Sequence, residues 1–216
     1  MTQTIEHPIE ITGHTHPLRS SLGDFINGLR DLEREPITTA RVLDFLTQMM
    51  LRADAVAPYV MWNPESYARN LIYRDSLFEV LALCWLPGQH TAIHSHAGQL
   101  GWVTVVQGEI EARNYRFVRS DRIDQSPAVG KAQGRPVEVE LINAATCVAD
   151  GSVATVDRRQ TTHRMGNLEK SEHGSVSLHI YSKPIDFCAA FNEEERCVDR
   201  RRLEYYSENG ILKKPA

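Results

Sequence analysis

Residues 87–109, PGQHTAIHSHAGQLGWVTVVQGE, place three of the chain's nine histidines, His90, His94 and His96, within seven positions. The stretch then runs into an apolar segment and ends at Gly108 and Glu109. On an extended strand alternate side chains share a face, so His94 and His96 point one way and Ser95 the other, a two-pronged clip for a metal ion. A His-x-His pair by itself is as readily two surface histidines, so the rest of the chain has to decide. His163, in TTHRMGN (161–167), follows a further run of strand-like sequence and could arrive from a neighbouring strand. Three neutral imidazoles on one side of a divalent ion leave its other side open to substrate and oxygen.

Working outward, short runs rich in Val, Ile, Leu and aromatics recur from about residue 68, separated by Gly, Asn, Asp or Pro. NLIYRD, FEVLALCWL, AIHSH, GWVTVVQG, EIEARNYRFV, PVEVELI, CVADGSVATVD and VSLHIYS have the spacing of an all-β barrel or sandwich. After Pro184, DFCAAFN and CVDRRRLEYYS read as two more strands around a turn at Glu193 to Arg196. The breaker-rich segment 119–136 reads as a long exposed connection. Upstream, residues 1–20 read as an irregular arm. SLGDFINGLRDLEREP carries apolar residues three and four apart, and a second helix is expected over TTARVLDFLTQMMLRADAV, capped by Thr38 or Thr39. The expectation is a mainly β, single-domain antiparallel barrel, with residues 1–66 as arm and helices packed on a barrel of residues 67–216.

The bulk composition narrows the function. With 216 residues the chain can bury a substantial core around one site. A net charge of -4 lacks the basic excess that tracks phosphates, so no nucleic acid is expected and a small molecule is the better partner. Four cysteines at 84, 147, 188 and 197 show no Cys-x-x-Cys spacing and read as free thiols in a reducing compartment. No apolar run approaches the ~20 residues of a membrane span, and a cytoplasmic protein without membrane contact is expected.

Two further stretches carry polar groups in order. In SVSLHIYSKP (175–184), Ser177, His179 and Tyr181 alternate with Leu178 and Ile180, so one strand face is polar throughout. If that face looks inward, each group left unpaired costs ~1–3 kcal/mol, and the three must bond to one another or to a ligand; periodicity leaves solvent as the alternative. In PESYARNLIYRD (64–75), Tyr67 and Arg69 share a face if the strand starts that early. The guanidinium fork grips both oxygens of a carboxylate, although a surface ion pair is the plainer use of any one arginine.

The spacing Gly88, His94, His96, Gly108 fits the first motif of the cupin superfamily, and His163 with Asn167 matches the end of its second. Gly101 stands where a typical cupin carries a glutamate ligand. With YARN, CWLPGQHTAIHSHAGQLGW, VVQGE, HRMGN and SLHIYS in order, the chain from about Tyr67 to Pro184 resembles the cysteine dioxygenase family, single-domain jelly-roll cupins that bind mononuclear iron(II). The resemblance implies His94, His96 and His163 as ligands of Fe(2+), Arg69 and Tyr67 as the substrate-binding pair, and Ser177, His179 and Tyr181 as a hydrogen-bonded relay ending at the metal. The implied reaction adds both atoms of O2 to the thiol of L-cysteine, giving cysteine sulfinic acid. A relative acting on 3-mercaptopropionate is the nearest alternative; those enzymes tend to carry glutamine at the position of Arg69. A non-catalytic metal-binding cupin is the other.

Two departures from the mammalian pattern stand out. Gly101 replaces a cysteine that forms a thioether to the tyrosine matching Tyr181, so a free phenol is expected here. Lys183 replaces a proline. Among the remaining candidates, His90 and His173 read as solvated, Cys188 as a small apolar filler near the relay, and Trp85 and Trp102 as core.

Overall fold

The computed structural model describes residues 11–12, 18–96, 98–117, 137–156 and 162–213. The expected loop at 119–136 and most of the arm at 1–20 lie outside these residues. What is described of the arm is two short strands, β1 (Ile11–Thr12) and β2 (Leu18–Ser20).

Helix α1 (Leu22–Leu32) begins where the Ser21 hydroxyl accepts the backbone N–H of Asp24 at 3.2 Å, and α2 (Thr39–Gln48) where Thr38 accepts that of Arg41 at 3.3 Å. Phe25 and Leu29 on α1, and Val42 and Leu46 on α2, are four apart and buried. The second helix is shorter than its apolar pattern predicts. Met49–Leu51 leave it to form β3, which pairs in parallel with β2, and the Ser20 hydroxyl donates to the Met50 carbonyl at 3.1 Å. A neighbouring strand thus supplies the hydrogen bonds that a continued helix would have made. A single turn, α3 (Ala53–Val56), follows and passes into a 3-10 turn at Ala57–Tyr59.

The barrel strands are β4 (Ala68–Arg74), β5 (Phe78–Trp85), β6 (Ile93–His94), β7 (Gly101–Gln107), β8 (Glu109–Phe117), β9 (Val139–Val148), β10 (Val153–Val156), β11 (Thr162–Gly166), β12 (Ser175–Ser182), β13 (Phe187–Asn192), β14 (Cys197–Arg202), β15 (Ser207–Glu208) and β16 (Ile211–Leu212). Segment 147–157, read from sequence as one unit, is split by a turn between β9 and β10. AIHSH forms a strand of only two residues.

These strands build two sheets, ordered β1-β10-β7-β12-β5-β4-β15-β16 and β14-β13-β6-β11-β8-β9. All pairings are antiparallel except β15 with β4. Strand β12 runs between β7 and β5, with Tyr181 opposite Gly101 on one side and Glu79 on the other. Its Val176, Leu178 and Ile180 pack with Val80, Ala82 and Trp102 against the helices, whose Phe25, Leu29, Val42 and Leu46 belong to the same cluster. The opposite face of the sheet presents Leu81, Leu83, Trp85, Val103 and Tyr181 to Ile110, Ala112 and Met165 of the second sheet. Both faces of β12 are therefore buried, and the polar row of Ser177, His179 and Tyr181 looks into the barrel rather than into solvent.

Trp102 anchors this arrangement, its indole N–H donating to the Thr39 carbonyl at 3.2 Å. At Gly166 a Cβ would sit 2.4 Å from the Gln89 carbonyl oxygen, so the end of β11 and the loop before β6 touch backbone to backbone. Only glycine permits that approach.

Candidate metal centre

His94 and His163 sit opposite each other in the register of β6 and β11, and His96 follows just past the end of β6. Two neighbouring strands therefore bring three imidazoles together, with ring centroids 4.9, 4.9 and 4.6 Å apart. One ring nitrogen from each lies within 4.8 Å of the others.

All three are neutral. Burial holds His94 down to about 4, and burial, then the neighbouring imidazoles, hold His96 and His163 well below the ordinary histidine value. The Nδ1 of His94 lies 3.0 Å from the Ala92 carbonyl. A carbonyl only accepts, so Nδ1 carries the hydrogen and Nε2 keeps its lone pair. His96 Nδ1 and His163 Nδ1 are buried without a hydrogen-bond partner among the described residues. Crowded neutral rings with unpartnered nitrogens suit a divalent cation, and the imidazole set fits iron, zinc, nickel or copper by chemistry.

A cavity of about 250 Å³ opens beside the cluster. Of the eight residues expected as metal ligands, substrate-binding pair and relay, it brings together all but Ser177: Tyr67, Arg69, His94, His96, His163, His179 and Tyr181 line it. Ser177 lies one step behind. Its hydroxyl is 2.8 Å from His179 Nε2, and His179 Nδ1 is 3.1 Å from the Tyr181 hydroxyl. The Tyr181 ring stacks beside His96 at 5.7 Å, which puts the phenol at the edge of the cluster. Burial keeps His179 neutral, down to about 3, with the Arg69 charge acting in the same direction. Burial also raises the Tyr181 phenol, against an opposing pull from Arg69.

Arg69, on β4, is almost fully buried and faces Glu79 of β5 at 3.6 Å. Glu79 is further held by the Tyr205 hydroxyl, and Arg74 lies 3.6 Å away. Arg69 Nε and Nη2 nevertheless have no hydrogen-bond acceptor among the described residues. Nη2 is the atom that faces Glu79, so Arg69 is a buried guanidinium at the cavity wall whose charge is met at ion-pair distance but whose Nε and Nη2 make no hydrogen bond among the described residues, a group suited to an anion. Strand β4 begins at Ala68, and Tyr67 just before it stacks on Trp85, with ring centroids 4.7 Å apart and planes 17° from parallel.

Gly101 allows the Tyr181 ring its place, since a Cβ there would meet Tyr181 Cε1 at 3.1 Å and Val156 Cβ at 3.4 Å. No side chain at 101 reaches the histidines, and Tyr181 stands as a free phenol bonded to His179. Lys183 adopts φ 68°, and its N–H donates to the Leu77 carbonyl at 2.6 Å. Proline can do neither, so the backbone after the relay strand takes a course a proline would forbid.

Several participants were missed in the sequence. Trp85, read as core alone, is fully buried yet lines the cavity, and its indole N–H donates to Ser177 at 2.9 Å. Glu79 is the sole charged side chain in a strand otherwise apolar, FEVLALCW, and that anomaly was the available signal. Tyr205 gave none. His90 is exposed but borders the cavity, whereas His173 is exposed away from it. Cys188 is buried on the cavity wall, where burial raises its thiol and Arg69 opposes the rise.

Among the described residues no helix is long and apolar enough to cross a membrane. The family described as Cysteine dioxygenase type I matches residues 15–194. Cysteine dioxygenase type 1 of Homo sapiens is 26% identical over 156 residues, covering 72% of this chain and 70% of that protein. The protein of the same description from Danio rerio is 22% identical over 192 residues, covering 88% of each. A Klebsiella pneumoniae structure with a double-stranded β-helix domain is 18% identical at a TM-score of 0.39, covering 62% of this chain and 84% of that one.

Proposed function

Since the chain belongs to the cysteine dioxygenase type I family, whose membership supports thiol dioxygenase activity, we propose that it oxidises the thiol of L-cysteine with O2 to cysteine sulfinic acid at an iron(II) held by His94, His96 and His163. The observation that carries the substrate is Arg69, buried at the cavity wall with Nε and Nη2 making no hydrogen bond among the described residues. It takes the carboxylate in a charge-assisted grip, and Tyr67, fixed by its stack on Trp85, stands beside it. Iron(II), when bound, would lower the thiol pKa and mediate the passage to O2 of the four electrons that sulfur loses in becoming a sulfinate.

The protein's own groups do the rest. Arg69 holds the carboxylate end still, so that the thiol end rests at the histidine cluster rather than tumbling in the cavity. Neutral imidazoles at 94, 96 and 163 keep the protein from competing for charge there. Tyr181 holds a hydroxyl at the cluster edge, placed to donate a hydrogen bond to the oxygen that becomes part of the sulfinate. Buried Leu83, Trp85 and Met165 line the cavity beside these groups and limit the water within it.

The experiment is O2 uptake by protein reconstituted anaerobically with iron(II), with L-cysteine and 3-mercaptopropionate as alternative substrates and products identified by mass. Cysteine sulfinic acid, formed with one O2 consumed, is expected. Preference for the amine-free thiol would keep the dioxygenase and overturn the reading of Arg69. No uptake with iron bound would leave a metal-binding module. Arg69→Ala is expected to lose cysteine turnover at unchanged iron content.

A further inference from the structure

The relay has one more member, and it fixes the direction in which the hydrogens point. The Trp85 indole N–H can only donate, and it donates to Ser177 Oγ at 2.9 Å. The other partner of Ser177 Oγ among the described residues is His179 Nε2 at 2.8 Å. Ser177 is fully buried, so its hydroxyl hydrogen has no water to turn to.

Two arrangements are open to a neutral His179. With hydrogen on Nε2, the serine oxygen would accept from Trp85 and His179 together, and its own hydrogen would be buried without an acceptor. With hydrogen on Nδ1, Trp85 donates to Ser177, Ser177 donates to Nε2, and Nδ1–H donates to the Tyr181 oxygen 3.1 Å away. The one hydrogen left over is then that of the Tyr181 hydroxyl, which lies on the cavity where a bound molecule can accept it, rather than that of the fully buried Ser177. A doubly protonated ring fails on the same count as the first arrangement. An orphaned buried donor is the costlier outcome.

We infer that Trp85 is a positioning residue which, through Ser177, holds His179 as its Nδ1–H tautomer and so turns the Tyr181 hydroxyl hydrogen away from the relay and into the cavity. The indole N–H acts by occupying the other direction the serine hydrogen could take. The reversed chain would tie the phenol hydrogen to His179 Nδ1 and present only a lone pair to the cluster. The dioxygenase reading enters only in what the phenol hydrogen is used for; the tautomer stands or falls by itself.

The test uses the full chain loaded with zinc(II), a diamagnetic stand-in, and labelled with 15N in the histidine rings. His179 is assigned from the signal lost in His179→Gln. A protonated Nδ1 and a bare Nε2 are expected in the unsubstituted protein; hydrogen on Nε2 would overturn the inference. Trp85→Phe keeps the ring under Tyr67 but removes the donor, and is expected to populate both tautomers. A single unchanged tautomer would remove Trp85 from the account. In the iron-loaded enzyme the same variant should lower kcat about threefold to tenfold, the scale of one buried hydrogen bond, while KM for cysteine holds because Arg69 and the stack on Tyr67 remain. A rise in KM at constant kcat would instead assign Trp85 to substrate binding. If zinc-loaded protein shows the expected tautomer and iron-loaded protein shows no turnover, the proposed reaction fails and the tautomer does not.

Discussion

The two sheets that meet at the cavity are built differently. The eight-stranded sheet has helices on its outer face, and β5 and β12 are buried along their whole length. The six-stranded sheet turns an uncovered face outward among the described residues, with Leu141 half exposed on β9 and the last three residues of β14 exposed. The metal cluster stands on the thinner sheet, whereas Arg69, Trp85 and the Ser177–His179–Tyr181 relay stand on the thicker one. A bound ion draws its own ligands into place. A chain of neutral hydrogen bonds has no such organiser and depends on packing from both sides.

The hardest blow to this contrast is His163→Ala. Two imidazoles remain, and iron affinity should fall by more than the ~10- to 100-fold typical of losing a group that merely supports a ligand. Metal analysis should show iron lost while circular dichroism shows the fold kept; loss of both would mean that the sheets do not divide the work. Next, Tyr181→Phe should retain iron and lower kcat by ~10²- to 10³-fold, the usual effect of removing one donor aimed at developing charge. An unaffected rate would take the phenol out of the chemistry.

On the opposite face of the same strand, Leu178→Ala should destabilise by ~2–5 kcal/mol in urea unfolding. Its kcat, measured below the unfolding transition, should stay near that of the parent. A loss as deep as that of Tyr181→Phe would show that the helix side and the cavity side of β12 are not separable.

The smallest effect is a slope. His179 titrates near 6.5 in an unfolded chain and at about 3 in the fold. Below pH 6.5 the unfolded chain holds the extra proton, so the metal-free protein loses stability as pH falls toward 3. His179→Gln should flatten that decline by up to ~1.4 kcal/mol per pH unit, read from urea unfolding at several pH values. An identical slope would mean that His179 already carries its proton in the fold.

Much of this was legible because period-two patterns and histidine spacing are local facts. His94, His96 and the alternation of Ser177, His179 and Tyr181 could be read directly, and the cap of the second helix was narrowed to Thr38 or Thr39, of which the structure uses Thr38. Pairing between distant segments could not. The apolar run through Met50 looked helical because nothing local reveals that β2 lies alongside it. Alternation alone left open whether the polar row of β12 looks inward or to solvent, because only the helices packed on one side of it and the second sheet on the other bury both faces. Trp85 looked like core because it is core; its second role lies in the single N–H aimed at Ser177.

One contact has a bearing on how the protein is made. The strand bearing Arg69 is flanked by β15, where Tyr206 N–H donates to the Arg69 carbonyl at 2.8 Å and the Ser207 hydroxyl donates to Asn70 Oδ1 at 2.7 Å, while the Tyr205 hydroxyl holds Glu79. More than 130 residues separate the Arg69 strand from these partners. During synthesis the three histidines leave the ribosome some forty residues before the clasp around Arg69 does, as the positions of His163 and Tyr205 require. The three histidines of a nascent chain are therefore available to one another before the partners that clasp Arg69, Asn70 and Glu79 have been made.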